Sequence, residues 1–235
     1  MTLLRGALFY AWFYLSMAVC GALFFIPAAI SPNLARRLAK VWLRMMFAAL
    51  RVIGGVRVEV RGQIPVDRVV VAAKHQSMLD VFIIVNALPE ARFVMKRELV
   101  RTPIFGWFAL RLGTVPVDRG GGSAALVAMV DRMMSEARQS GQIVIYPQGT
   151  RTPPGRCVPY KSGVHALYAA SGLPCVPAAT NSGLFQPKGL RINPGVAVVE
   201  FLPTIPPGLH RDAFMARIEA DIEKASRALD AEARR

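Results

Sequence analysis

A chain of 235 residues, 53% of them hydrophobic, holds enough apolar material for one ordinary domain with an appendage. Its 29 Lys and Arg stand against 15 Asp and Glu, a formal charge of +14 that attracts polyanions. The apolar share is high for a nucleic-acid binder and no nucleic-acid motif is present, so the expected polyanion is an anionic membrane and not nucleic acid.

Between Arg5 and Arg36 no residue carries a charge. As a helix, Gly6 to Ile30 would extend roughly 37 Å, against about 30 Å for a hydrocarbon core. Tyr10, Trp12 and Tyr14 near its start suit lipid headgroups. A signal peptide is the competing reading, but the stretch is longer than a usual apolar region of that kind and a basic apolar helix follows at once. Pro27 and Ser31-Pro32 break the first helix, and Ser31 or Asn33 can cap the next. From Leu34 to Ile53, Arg36, Lys40, Arg44 and Arg51 form one basic stripe beside a wide apolar face, as expected of a helix in the plane of an anionic bilayer. The first segment either spans the bilayer or pairs with this helix and dips into one leaflet. By the positive-inside tendency, the basic remainder is expected on the cytoplasmic side.

Gly54-Gly55 ends the pair and divides anchoring helices (residues 1–55) from an α/β domain (56–235). Strands are expected at 56–61, 69–74, 92–95, 114–117, 142–146, 175–179 and 196–201. Helices are expected at 78–88, 103–112, 123–139 and 162–170. A charged terminal helix follows, with Phe214, Ile218, Ile222, Ala225 and Leu229 on its apolar face. Such alternation predicts a largely parallel sheet flanked by helices, behind an amino-terminal membrane-associated helix pair.

The segment Val69-Val-Val-Ala-Ala-Lys-His75-Gln-Ser-Met-Leu-Asp80 runs a buried-type strand into a histidine. On one continuous helix His75 and Asp80 would point about 140° apart, so they meet only if His75 lies in the strand-to-helix turn. Ser77 is a good N-cap for that arrangement. The carboxylate would then hold one imidazole nitrogen and leave the other as a base. The same Ser77-x-x-Asp80 spacing is also close to a capping box, which explains the aspartate with no catalysis. Arg119 follows a strand in Gly113-Thr-Val-Pro-Val-Asp-Arg119-Gly120, and Arg151 follows another in Tyr146-Pro-Gln-Gly-Thr-Arg151. Lys96 ends a third. Cations at the ends of parallel strands sit where such sheets collect ligands, and arginine grips phosphate through a planar fork.

Taken in order, Lys74-His-Gln-Ser-Met-Leu-Asp80, Gly113 to Gly120, Tyr146 to Arg151 and Val176-Pro-Ala-Ala-Thr180 resemble the four motifs of the glycerophospholipid acyltransferases. The likeness is greatest to the bacterial 1-acylglycerol-3-phosphate acyltransferases, and runs from the amino-terminal helices to about Thr180. It implies transfer of a fatty acyl group from acyl-CoA or acyl-carrier protein to the sn-2 hydroxyl of 1-acylglycerol-3-phosphate, giving phosphatidic acid, at the cytoplasmic face of a cell inner membrane. His75 would be the general base and Asp80 its orienting acid. Lys96, Arg119, Gln148, Gly149, Thr150 and Arg151 would bind the glycerol phosphate. The family usually has Glu where this chain has Gln148, which keeps one acceptor but loses the charge. Other acceptors, such as glycerol-3-phosphate or a lyso-ornithine lipid, and a catalytically idle membrane adaptor are the alternatives. No metal-ligand spacing is present, and neither metal nor cofactor is expected. Cys20, Cys157 and Cys175 are too scattered for a disulfide framework. His165 is expected to be structural, and His210 has no evident partner.

Overall fold

A computed structural model describes residues 1–118, 122–137 and 141–235. Two helices lead the chain: α1 (Thr2–Ile30) and α2 (Pro32–Ala49). Ser31 caps α2 by accepting from the Leu34 amide, and Pro32 fits the first turn because its missing N–H would have no helical partner there. A widened turn over Leu50–Gly54 then ends at Gly55, which is left-handed at φ +69°.

The α/β domain follows as β1 (Val56–Gly62), β2 (Val70–Ala73), α3 (Met78–Ala87), β3 (Ala91–Lys96), α4 (Phe105–Arg111), β4 (Val115–Val117), α5 (Gly122–Ala137), β5 (Gln142–Ile145), α6 (Gly163–Ser171), β6 (Cys175–Thr180), α7 (Ser182–Phe185), β7 (Gly195–Phe201) and α8 (Arg211–Glu232). All seven expected strands form, within about two residues of their expected ends. They make one sheet in the order β1-β7-β6-β2-β5-β3-β4. Neighbours are parallel except β6 and β7, so the β1–β7 pair runs against the other five strands. The sheet is therefore mixed but mostly parallel.

Alternation along β2 separates two cores. Val71 and Ala73 join a cluster that includes Phe9 and Phe13 of α1, Leu43 of α2 and Phe82 of α3. Val70 and Ala72 face the opposite cluster, with Leu167 and Tyr168 of α6 and Phe214, Ile218 and Ile222 of α8. Burial of β2 on both faces explains why it reads as an unbroken apolar run.

The helix pair is less detached than its sequence implies. One face of α1 is buried at Gly6, Phe9, Phe13, Ser16, Cys20, Gly21 and Ala28, a helical spacing that runs nearly its whole length. At Gly6 the loop after α7 comes so close that a Cβ would lie 1.4 Å from the Leu190 carbonyl oxygen. Phe13 packs on Trp42 of α2 and Phe82 of α3, with ring centroids 5.4 and 6.0 Å apart. At the far end Arg111 of α4 donates to the Ala28 and Ala29 carbonyls, which have no partner within the helix. The expected basic stripe of α2 is divided too. Arg36 pairs with Glu90 at 2.9 Å and Lys40 donates to the Leu88 carbonyl, so those two face the domain. Arg37, Arg44 and Arg51 stay exposed beside Val41, Met45 and Val52.

Candidate active site

Three strand exits meet at one edge of the sheet: His75 after β2, Lys96 at the end of β3, and Tyr146 to Arg151 after β5. His75 lies in the turn before α3, where Ser77 is the N-cap and accepts from the Leu79 amide. Asp80 is fully buried and uses both carboxylate oxygens. Its Oδ2 accepts from the amides of Gln76 and Ser77, at 2.8 and 2.7 Å, and from the Ser182 hydroxyl at 3.2 Å. Its Oδ1 lies 2.9 Å from His75 Nδ1. The capping and orienting roles weighed for Asp80 thus coexist, one on each oxygen. Because the carboxylate is surrounded by donors, Nδ1 carries the proton and Nε2 is left with a free lone pair.

The rest of the His75 residue is held as firmly. Its amide donates to Gln148 Oε1 at 3.1 Å, and its carbonyl accepts from the Thr152 amide at 2.8 Å. Its ring stacks on Tyr146 with centroids 4.2 Å apart. Burial, with the charge of Asp80, pushes the Tyr146 phenol well above its ordinary pKa, so this hydroxyl stays protonated at any working pH.

Beside His75 opens an apolar cavity of about 490 Å³, within the range typical of small-molecule sites. Its walls come from α1 and α2 (Phe13, Met17, Trp42), α3 (Phe82, Val85), β3 (Phe93, Met95) and the segment around Ile104 and Phe108. His75, Tyr146, Lys96 and Arg151 also line it, so the imidazole, both cations and the apolar space share one enclosure. Lys96 pairs with Glu98 at 3.0 Å on an exposed surface, where such a pair contributes little. Arg151 is exposed and has no ion-pair partner among the described residues.

The remaining residues named by the family resemblance are placed differently. Gln148 is 2% exposed, accepts from the His75 amide and is not among the residues that line the cavity. Gly149 is left-handed at φ +67°, and a Cβ there would lie 3.2 Å from the side chain of Lys161. Thr150 is exposed beside Arg151. Arg119 lies outside the described residues. Sequence reasoning did not single out Ser182 and gave Tyr146 no role. Ser182 sits just past the last motif on the short helix α7 and carries no chemical signature of its own. His165 packs against the Tyr168 and Phe214 rings, as a structural residue would.

A carboxylate-held imidazole at the mouth of an apolar cavity, with cations at its rim, is an arrangement suited to acyl transfer. Residues 55–181 match the family model described as Acyltransferase, and the chain belongs to that family. More particularly, it is 33% identical over 230 residues to the 1-acyl-sn-glycerol-3-phosphate acyltransferase of Pseudomonas aeruginosa, covering 96% of this chain and 88% of that protein. To the human 1-acyl-sn-glycerol-3-phosphate acyltransferase alpha it is 30% identical over 170 residues, 70% of this chain and 60% of the relative. The crystal structure of the 1-acyl-sn-glycerophosphate acyltransferase PlsC from Thermotoga maritima has the same fold, with a TM-score of 0.80, 98% of this chain and 97% of that chain covered, and 19% identity. Among the described residues one helix, α1, is long and apolar enough to cross a membrane, and its outward residues Leu4, Leu8, Leu15, Leu23 and Ile26 are exposed, which suits membrane association.

Proposed function

We propose that this protein transfers a fatty acyl group from acyl-CoA or acyl-carrier protein to the sn-2 hydroxyl of 1-acylglycerol-3-phosphate, giving phosphatidic acid for phospholipid synthesis. The observation that carries this reading is the shared enclosure of His75, Arg151 and the apolar cavity. His75 Nε2 takes the proton of the acceptor hydroxyl as its oxygen attacks the thioester carbonyl. Asp80 holds the ring and stabilises the imidazolium that forms. The proton then passes to the leaving thiolate, which departs as the thiol. Arg151 and Lys96 bind the acceptor phosphate, Arg151 by charge-assisted hydrogen bonds. The cavity takes an acyl chain. Arg119, Gly149 and Thr150 are the further acceptor-binding residues that the family implies, and Gln148 acts through His75.

The anchor follows from the same geometry. Contacts along the whole of α1 favour a helix that lies on the domain with its outward face in one leaflet, over one that crosses the bilayer alone. Exposed Arg37, Arg44 and Arg51 then meet anionic headgroups, and the catalytic domain faces the cytoplasm from the inner membrane. Purified protein on vesicles, given defined thioester donors, tests the reading by mass spectrometry of the products. Phosphatidic acid from 1-acylglycerol-3-phosphate is the expected outcome. Clear preference for a phosphate-free lysolipid would overturn the choice of acceptor.

A further inference from the structure

Behind the site, on the opposite face of the sheet, lies a second polar centre that acyl transfer as described does not use. Lys74 immediately precedes His75 and is 3% exposed. Its ammonium lies 2.5 Å from Glu223 Oε1, on α8. The same carboxylate accepts from the Tyr160 hydroxyl at 2.9 Å and from the Cys157 thiol at 3.3 Å. Tyr160 and Cys157 belong to the loop that leaves Arg151, and Glu223 lies beyond the segment matched to the family model. One buried carboxylate therefore ties the strand end that carries the base to the loop that carries the phosphate-binding cation.

We propose that Glu223 is a positioning residue for the reaction, holding His75 and Arg151 in register through Lys74, Tyr160 and Cys157. A buried ion pair is a weak source of net stability, because its desolvation offsets its attraction, so conformational specificity is the more economical reason to keep this one. The main-chain bond from the Thr152 amide to the His75 carbonyl joins the same two segments. The two ties together fix both segments at the exit of β2. Burial pushes the Tyr160 phenol far above its ordinary range, and the charge of Glu223 adds to that, so the hydroxyl remains a donor to this carboxylate.

The proposal rests on His75 acting as the base, and its test reads both turnover and the resting geometry of the imidazole. The double variant K74M/E223Q removes both charges of the pair at once, and the glutamine oxygen still accepts from Tyr160. The single variant E223Q serves as a second probe. The readouts are kcat and KM for 1-acylglycerol-3-phosphate, the melting temperature, and the proton resonance of His75 Nδ1–H in substrate-free protein. Positioning predicts that the double variant melts near the wild-type temperature, loses about ten- to a hundredfold in kcat with KM changed far less, and shows a shifted or broadened His75 resonance. Wild-type kcat with an unmoved resonance would reduce the pair to a structural role and overturn the proposal. So would a loss of activity that merely follows a lowered melting temperature. If the wild type fails to acylate the lysophosphatidic acid, the functional reading falls, while the His75 resonance still decides the positioning role.

Discussion

At the exit of β2 two consecutive side chains enter different polar worlds. His75 meets Asp80 at 2.9 Å, and Lys74 meets Glu223 at 2.5 Å. Both carboxylates are buried, but the His75 ring keeps 14% of its side chain exposed and borders the cavity, while the Lys74 side chain keeps 2%. The pleat sends neighbouring residues to opposite faces of the sheet, so a step of one residue separates an open, reactive pair from a sealed, supporting one. What distinguishes them is access. The first pair borders the cavity, whereas the second is closed off from solvent.

The comparison can be broken first at the open pair. Asp80→Asn keeps a buried oxygen for the turn amides but no longer fixes the tautomer with Nδ1 protonated. A loss of about 10²- to 10⁴-fold in kcat is expected, read by steady-state acyl transfer. Next in size is Arg151→Ala, which removes charge-assisted bonds worth about 1.5–3 kcal/mol. KM for 1-acylglycerol-3-phosphate should rise roughly ten- to a hundredfold, with KM for the thioester donor little changed.

The closed pair is sharpened by acid. Burial alone would raise the Glu223 carboxyl, but the hydrogen bond and charge of Lys74, with the Tyr160 and Cys157 donors, hold it below its ordinary value of 4.5. Its contribution to stability is therefore complete above that value and is lost as pH falls through the lower, folded pKa. Lys74→Met removes the chief opposing cause, so the Glu223 carboxyl rises. The variant should be less stable than wild type at neutral pH, by as much as about 3–5 kcal/mol if the carboxylate stays charged. Urea unfolding across the acid range should show that gap narrowing as pH falls. Asp230, raised by burial, is also held down by the charge of Lys74, so in the variant it rises further and adds to the same narrowing.

How far the sequence discloses these two centres follows from the range of the contacts. The strands are legible because each is a short β-rich run bounded by turn residues, and the His75–Asp80 pair because its members lie five residues apart across a cap. Ser182 and Gln148 reach the same site from 102 and 73 residues away, and nothing in the identity of a serine or glutamine announces such a contact. The Lys74–Glu223 pair spans 149 residues and reads in sequence as two ordinary charges. α1 misleads differently. It is apolar on nearly every side, so no periodicity marks the face that packs on the domain, and length alone suggests a membrane crossing. Arg36 and Lys40 show the reverse case, since a regular stripe of charge gave no sign that half of it is tied to the domain.

Acyl transfer by His75→Ala protein, followed by mass spectrometry on vesicles containing 1-acylglycerol-3-phosphate and a thioester donor, bears most directly on the claim that this imidazole is the base. A base role predicts at least about a hundredfold less phosphatidic acid per unit time than wild type, at an unchanged melting temperature. Turnover within a few-fold of wild type would contradict it.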